Sequence, residues 1–236
     1  MVMAYRHREF VAALSKFAQR LLTPYEVDAA LDAVVRKVTT VLELSGAGVT
    51  LHIDGRLRFV TAAGEQIEAM ERCQERFAAG PCAHAFAHGE TIAVSDVRRR
   101  DDLWPEFAAE ARRREIAAVA GVPMQLGEVK VGALDLYCRE PREWADDELA
   151  AAQVFADMAT GYIVNSDKLR QQEQLSAQLQ TALDTRIVVE QAKGITAQAR
   201  GVTPAAAFEL IRAYARRHQA PVRAVAQAIV DVGLRI

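Results

Sequence analysis

The 236 residues exceed one domain of the usual ~100–150 residues and fall short of three, so one large or two modest domains are expected. With 51% hydrophobic and 25% charged residues the chain can fill a core, which excludes wholesale disorder, and its longest run without Asp, Glu, Lys or Arg, residues 77–89, is shorter than the ~20 residues of a membrane span. The net charge of -2 joins two unlike parts: residues 168–236 hold ten basic and five acidic side chains, residues 1–167 hold 19 and 26, and a basic tail on an acidic body suits a polyanion such as nucleic acid.

Residues 1–10 interleave charged and apolar side chains and lack a small-residue cleavage site, so no secretory signal is expected and a cytoplasmic location is. Cys73, Cys82 and Cys138 have no CxxC or CxxH spacing, which argues against a disulfide framework or a zinc site. Apolar residues at three- and four-residue steps (Phe10, Leu14, Phe17, Leu21; then Val27, Leu31, Val34, Val38, Val41) predict helices over 5–22 and 24–42. Thr23 is the expected N-cap of the second, with Pro24 at its first position. From Gly46 the period falls to two on both sides of Asp54-Gly55, which predicts a β-hairpin. A helix over 65–77 follows, then a helical turn from Pro81 to Phe86, a strand over 91–95 and a helix over 104–114. Two more strands, 117–125 and 129–138, meet at Gly127-Glu128. Hairpins with interspersed helices describe an α+β domain built on an antiparallel sheet with flanking helices.

Beyond Asp146 no strand signal remains, and Phe155, Met158, Tyr162, Leu169, Gln172, Leu179 and Leu183 recur at helical steps. So long a helix cannot bury itself in a small domain, which predicts a coiled-coil linker and a homodimer, with the polar Asn165, Gln172 and Ser176 setting register. Gly201 ends this helix, Thr203-Pro204 starts another and Pro221 a third, so a three-helix bundle closes the chain. The expected division is 1–165 for the sheet domain, 166–183 for the linker helix and 184–236 for the bundle.

Arg186, Lys193 and Arg200 are seven residues apart and share one face of the long helix, while Val188, Ala192, Ile195 and Ala199 face the bundle. Arg212, Arg216 and Arg217 lie on the next helix with Tyr214 nearby. A guanidinium can pair with phosphate, stack on an unpaired base or grip its edge. The same face can equally be a solvated one, with Glu190 in reach of both Arg186 and Lys193.

The run Arg186-Ile-Val-Val-Glu190-Gln191-Ala192-Lys193-Gly194-Ile195, with Gly201-Val-Thr-Pro-Ala-Ala-Ala-Phe208, Leu210-Ile-Arg212-Ala-Tyr214-Ala215 and Val225-Ala226, resembles the ANTAR family of bacterial antitermination regulators. The resemblance spans residues 183–231. It implies a dimer that binds tandem stem-loops in leader transcripts and disfavours a competing terminator, so that RNA polymerase is affected through RNA structure. It places RNA contacts at Arg186, Lys193 and Arg212. Arg216 and Arg217 rest on the basic patch alone, Gly194 is read as a position of close approach, and Ala192 and Phe208 as core.

Gly80-Pro81-Cys82, Ser95-Asp96-Val97, Trp104-Pro105-Glu106-Phe107, Gly121-Val-Pro123-Met and Val131-Gly132-Ala133-Leu134-Asp135-Leu136-Tyr137 resemble a GAF domain over residues 8–165. That implies a small-molecule sensor or dimerisation module with its pocket between the sheet and one layer of helices. Cys82, His84 and Trp104 are the candidate pocket residues, for an unknown small-molecule ligand. No cofactor is identified. Ala83 separates Cys82 from His84, unlike the adjacent Cys-His of bilin-binding members, and Asn165 is the sole Asn, whereas the family's cyclic-nucleotide motif begins Asn-Lys. No metal site and no membrane partner are expected. Two other functions compete. A DNA-binding helix-turn-helix is opposed by the Ala-rich first turn after Pro204, which lacks side chains that read base edges. A methionine sulfoxide reductase of the GAF fold needs a low-pKa Cys with a resolving partner.

Overall fold

A computed structural model describes residues 6–236; Tyr5, where the first helix is expected to begin, lies outside them. The chain divides into two compact units between Asp167 and Lys168. In the first, α1 (His7–Arg20) and α2 (Val27–Val41) precede a hairpin of β1 (Gly46–Ile53) and β2 (Arg56–Ala62). Asp54 and Gly55 take φ of 51° and 78°, the paired left-handed positions of a type I′ turn. Then come α3 (Glu65–Phe77), α4 (Pro81–His88), β3 (Ile92–Val94), α5 (Pro105–Arg113), β4 (Ala118–Leu126) and β5 (Val129–Cys138). The expected start of α2 at Pro24 is corrected. Thr23 Oγ1 donates to the Arg20 carbonyl at 3.0 Å, so it closes α1, and Glu26 is the N-cap of α2.

The five strands form one antiparallel sheet in the order β2-β1-β5-β4-β3. Alternation along the strands sorts side chains to two faces. Ala47, Val49, Ala120, Val122, Met124, Leu134 and Leu136 join α1, α2 and the start of the last helix of this unit in one core. Val119 and Tyr137 face the other way, against Ile67 and Met70 of α3 and Phe107 and Ala111 of α5.

Helix α6 (Asp146–Arg200) is continuous over 55 residues. Its first turns are not a free coiled coil. Phe155 and Tyr162 are fully buried in the first core, and Phe155 stands edge-on to Phe10 and Phe17 with centroids 5.6 and 6.3 Å away. Asn165 is likewise taken up within the domain: its Nδ2 donates to the Tyr25 hydroxyl at 3.1 Å, which donates to the Tyr162 carbonyl at 2.8 Å. Residues 167–184 are exposed throughout, Leu169, Leu175, Leu179 and Leu183 among them.

In the second unit the end of α6 packs with α7 (Pro204–Arg217) and α8 (Val222–Asp231). Thr203 caps α7 by accepting from the Ala206 N–H at 3.3 Å. Ala192, Ile211, Ala215, Val225, Ala226 and Ile229 are the buried core, with Val188 and Ile195 packed against it. Ala199, expected on that face, is exposed, and Thr196 is buried instead. No helix among the described residues is long and apolar enough to cross a membrane.

Candidate nucleic-acid interface

On α7 the residues Ala207, Ile211 and Ala215 recur at four-residue steps and fill the bundle core. One position further round the helix, Phe208, Arg212 and Arg216 form a second stripe at the same step. Phe208 is therefore not the core residue its apolarity suggests. It is partly exposed, with Lys193 Nζ 5.7 Å and Arg212 Cζ 5.8 Å from its ring centroid. The structure thus brings Lys193 of α6 and Arg212 of α7 to one aromatic ring, an arrangement that a cation's attraction to the ring face favours. A Phe one residue off the buried ladder and four before an Arg is the sequence signal that would have found it.

Both cations are held by neighbours on their own helices. Lys193 Nζ lies 2.9 Å from each Glu190 oxygen, and an Arg212 terminal nitrogen donates to Glu209 Oε1 at 2.9 Å. Both carboxylates are exposed, so each pair is worth under ~1 kcal/mol and a phosphate can displace it. Glu190 thus pairs with Lys193, leaving Arg186 exposed about two helical turns, ~10 Å, along the same face.

The other expected residues divide. Arg216 lies on the Phe208 stripe. Arg217 turns away: its guanidinium is 5.8 Å from the Tyr214 ring, which lies tilted against His218 at 4.2 Å. Arg200 Nε donates to the Ile236 carbonyl at 2.7 Å. A methyl group at Gly194 would meet nothing within 4 Å, so close packing within this chain is not its reason.

In the sheet domain the expected pocket residues separate. Cys82 and His84 lie two positions apart on α4 and so point in different directions. The half-buried His84 ring stacks on His88 at 4.2 Å and stands edge-on to Trp104 at 6.2 Å. Cys82 is buried, and its backbone N–H donates to Gln74 Oε1 at 2.8 Å. It adjoins a polar cluster that alternation sets on the sheet face under α3 and α4: Thr50, Asp135 and Tyr137 from the strands, Glu71 and Gln74 from α3. Glu71 accepts from the Thr50 hydroxyl at 2.9 Å and the Tyr137 hydroxyl at 3.0 Å, while Gln74 Nε2 donates to Tyr137 at 3.0 Å. Among the described residues neither Asp135 oxygen has a hydrogen-bond partner within geometric reach. Gly48 makes room for this cluster, since a Cβ there would lie 2.2 Å from Glu71 Oε1. Burial pushes the Glu71 carboxyl up to about 7, against its hydrogen bonds, and burial with the neighbouring Glu71 charge pushes Asp135 well above the carboxylate range. Sequence reading missed Glu71, Asp135 and Gln74; polar residues at inward positions of α3 and β5 are the signal.

Cys73 and Cys82 are shifted away from the thiolate form that a reductase's nucleophile takes. Burial raises Cys73 and, strongly, Cys82, the reverse of a nucleophilic thiolate. Each has separate neighbours: Cys73 the Glu106 carbonyl at 3.8 Å, Cys82 the Asp135 cluster, Cys138 an Arg142 nitrogen at 3.5 Å. No group of His, Cys, Asp and Glu suited to a metal ion occurs among the described residues.

An antiparallel sheet between two helical layers, followed by a helical bundle with a cationic aromatic platform, defines a two-domain α+β protein. The chain belongs to the GAF domain family, whose model matches residues 26–163, more than half of its length, and an ANTAR domain follows at 177–230. ANTAR domains bind RNA, so RNA is the class of partner that the second unit serves. Among curated proteins no match was found. Solved structures show the fold of the first unit. The GAF domain of the phosphoenolpyruvate-protein phosphotransferase from Acinetobacter is 12% identical, with a TM-score of 0.55 over 67% of this chain and 94% of that one. A domain of a two-component sensor histidine kinase protein from Sinorhizobium meliloti is 20% identical, TM-score 0.53, over 64% and 99%. Free methionine-R-sulfoxide reductase from Neisseria meningitidis is 16% identical, TM-score 0.53, over 68% and 91%.

Proposed function

We propose that the protein is a cytoplasmic, homodimeric transcription antiterminator that binds tandem stem-loops in leader RNA. The observation that carries this reading is the partly exposed Phe208 with Lys193 and Arg212 at 5.7 and 5.8 Å from its ring centroid on the ANTAR bundle. An unpaired loop base stacks on the Phe208 ring while Lys193, Arg212, Arg186 and Arg216 pair with the phosphates around it. Hairpin loops suit this surface because their bases are accessible, whereas the major groove of an RNA duplex is too deep and narrow for side chains. The exposed Leu169, Leu175, Leu179 and Leu183 of α6 support pairing of two copies through residues 166–183. Two bundles, residues 184–236 of each copy, then engage two stem-loops, and linkage raises the effective concentration of the second contact. The stabilised stem-loops exclude a terminator, so polymerase responds to RNA structure. The sensing domain, residues 1–165, governs this through a small molecule.

The test is binding of the full chain to a tandem stem-loop RNA over a salt series, beside an Arg186→Ala/Lys193→Ala variant. The variant is expected to bind more weakly, with the slope of log K against log salt smaller by about 2. Unchanged affinity and slope overturn the reading. If duplex DNA competes as well as the hairpin RNA, DNA recognition takes its place.

A further inference from the structure

Helices α1 and α2 run side by side with a groove between them that neither fills. Ala13 and Phe17 of α1 and Ala33 of α2 line its floor, and the open volume is about 600 Å³, within the ~300–1,000 Å³ of small-molecule sites. Lys16 and Arg20 rise from one wall, Arg36 and Lys37 from the other, with Gln19, Thr23 and Thr40 between them. Among the described residues no acidic side chain lines the groove, although acidic residues outnumber basic ones in residues 1–167. Arg36 pairs with Asp32 one turn back on its own helix. Lys16, Arg20 and Lys37 have no ion pair among the described residues, and Lys37 and Arg20 are partly buried.

Arg36 keeps its Asp32 partner, while the three unpaired cations beside it in one concavity repel each other, and a groove with low-dielectric walls focuses their field. A bound polyanion relieves that repulsion, and an apolar floor adds affinity only for a ligand with an uncharged, flat or apolar body. We propose that this groove is a binding site for a nucleoside diphosphate: Lys16, Arg20, Arg36 and Lys37 hold the two phosphates, and the base lies on Ala13, Phe17 and Ala33. The site is on the opposite face of the sheet from the Glu71–Asp135 cluster. It does not depend on the RNA reading.

The experiment is calorimetric titration of the full chain with adenosine diphosphate, pyrophosphate and adenosine. Adenosine diphosphate is expected to saturate at one site per chain, pyrophosphate to bind more weakly and adenosine not at all. Two variants attack the site differently: Arg20→Gln/Lys37→Gln removes charge, and Ala33→Met fills the floor. Each is expected to weaken adenosine diphosphate by at least about tenfold, the loss of one or two charge-assisted bonds or of the base's space. Circular dichroism melts confirm that each is folded, and one folded variant suffices. The Arg186→Ala/Lys193→Ala variant is expected to bind the nucleotide normally. No saturable binding by the parent overturns the proposal, as does equal binding by a folded groove variant or loss of binding only in Arg186→Ala/Lys193→Ala. Groove variants that alter the oligomeric state and leave nucleotide affinity unchanged assign the groove to contact between copies, which also overturns it.

Discussion

At the scale of single residues, Phe208 shows how a one-position offset on a helix converts a core side chain into a surface platform. Its i+3 and i+4 neighbours include Ile211 of the core and Arg212 of the surface, so its ring lies at the boundary. If it stacks on a base, Phe208→Leu keeps most of the apolar packing and loses the π-face. Affinity for stem-loop RNA is expected to fall about tenfold, since such stacking is worth ~1–3 kcal/mol, while Phe208→Tyr retains it. Fluorescence anisotropy with labelled RNA reads the change, and a melt within a few degrees of the parent separates binding from stability. The buried carboxyl pair gives a second residue-scale outcome. Burial raises both carboxyls, and the neighbouring Glu71 charge adds to the rise of Asp135. Folded Glu71 holds its own proton up to about pH 7, against an ordinary value of 4.5. Between those values the folded state binds more protons than the unfolded one. Stability is therefore greatest below the window and falls as pH rises through it; Asp135, raised too, acts in the same direction. Melting temperatures measured from about pH 5 to about pH 8 are expected to decline, and Glu71→Gln is expected to flatten the decline. A parent melt that rises over that range contradicts this account of the cluster.

At the scale of elements, α6 does two jobs along one helix. Its first turns end in buried aromatic rings, its middle exposes Leu side chains to solvent, and its last turns enter the bundle core. Leu175, Leu179, Leu183 and Ile187, at four-residue steps, are exposed and join none of the cores formed by the described residues. In Leu179→Glu/Leu183→Glu, sedimentation is expected to show monomers, because charge at the seam forfeits apolar burial and places like charges across it. Affinity for a single stem-loop should be unchanged, while the gain from a tandem pair, on the order of 10²-fold, should vanish. A dimer that survives both substitutions removes the helix from the interface.

At the scale of the whole molecule, the sheet domain owns the first turns of the long helix α6. A chain ended at residue 167 keeps Phe155 and Tyr162, with their rings against Phe10, Phe17 and Tyr25. It is expected to melt cooperatively, whereas a chain ended at residue 145 loses both and leaves α1 without cover. Removing two large aromatic side chains from a core costs ~3–5 kcal/mol each, enough to exhaust the stability of an ordinary domain. Circular dichroism of the two fragments checks this.

The sequence by itself determined the element order, the α+β class, the hairpin at Asp54-Gly55 and the three helices of the bundle. These follow from signals within a few residues of one another: a period of two or 3.6, a turn dipeptide, a proline after a threonine. The family frames were legible for the same reason, as short strings of residues in fixed spacing. Only the tertiary structure decided that Thr23 closes one helix rather than opening the next, and that Asn165 bonds to Tyr25, 140 positions away. It likewise decided that Phe208 meets Lys193, that Cys82 and His84 part company, and that Glu71 shares a buried site with Asp135. Periodicity gives the direction of a side chain on its own element; the group waiting there comes from another part of the chain, and burial, charge and hydrogen bonding are set by that meeting.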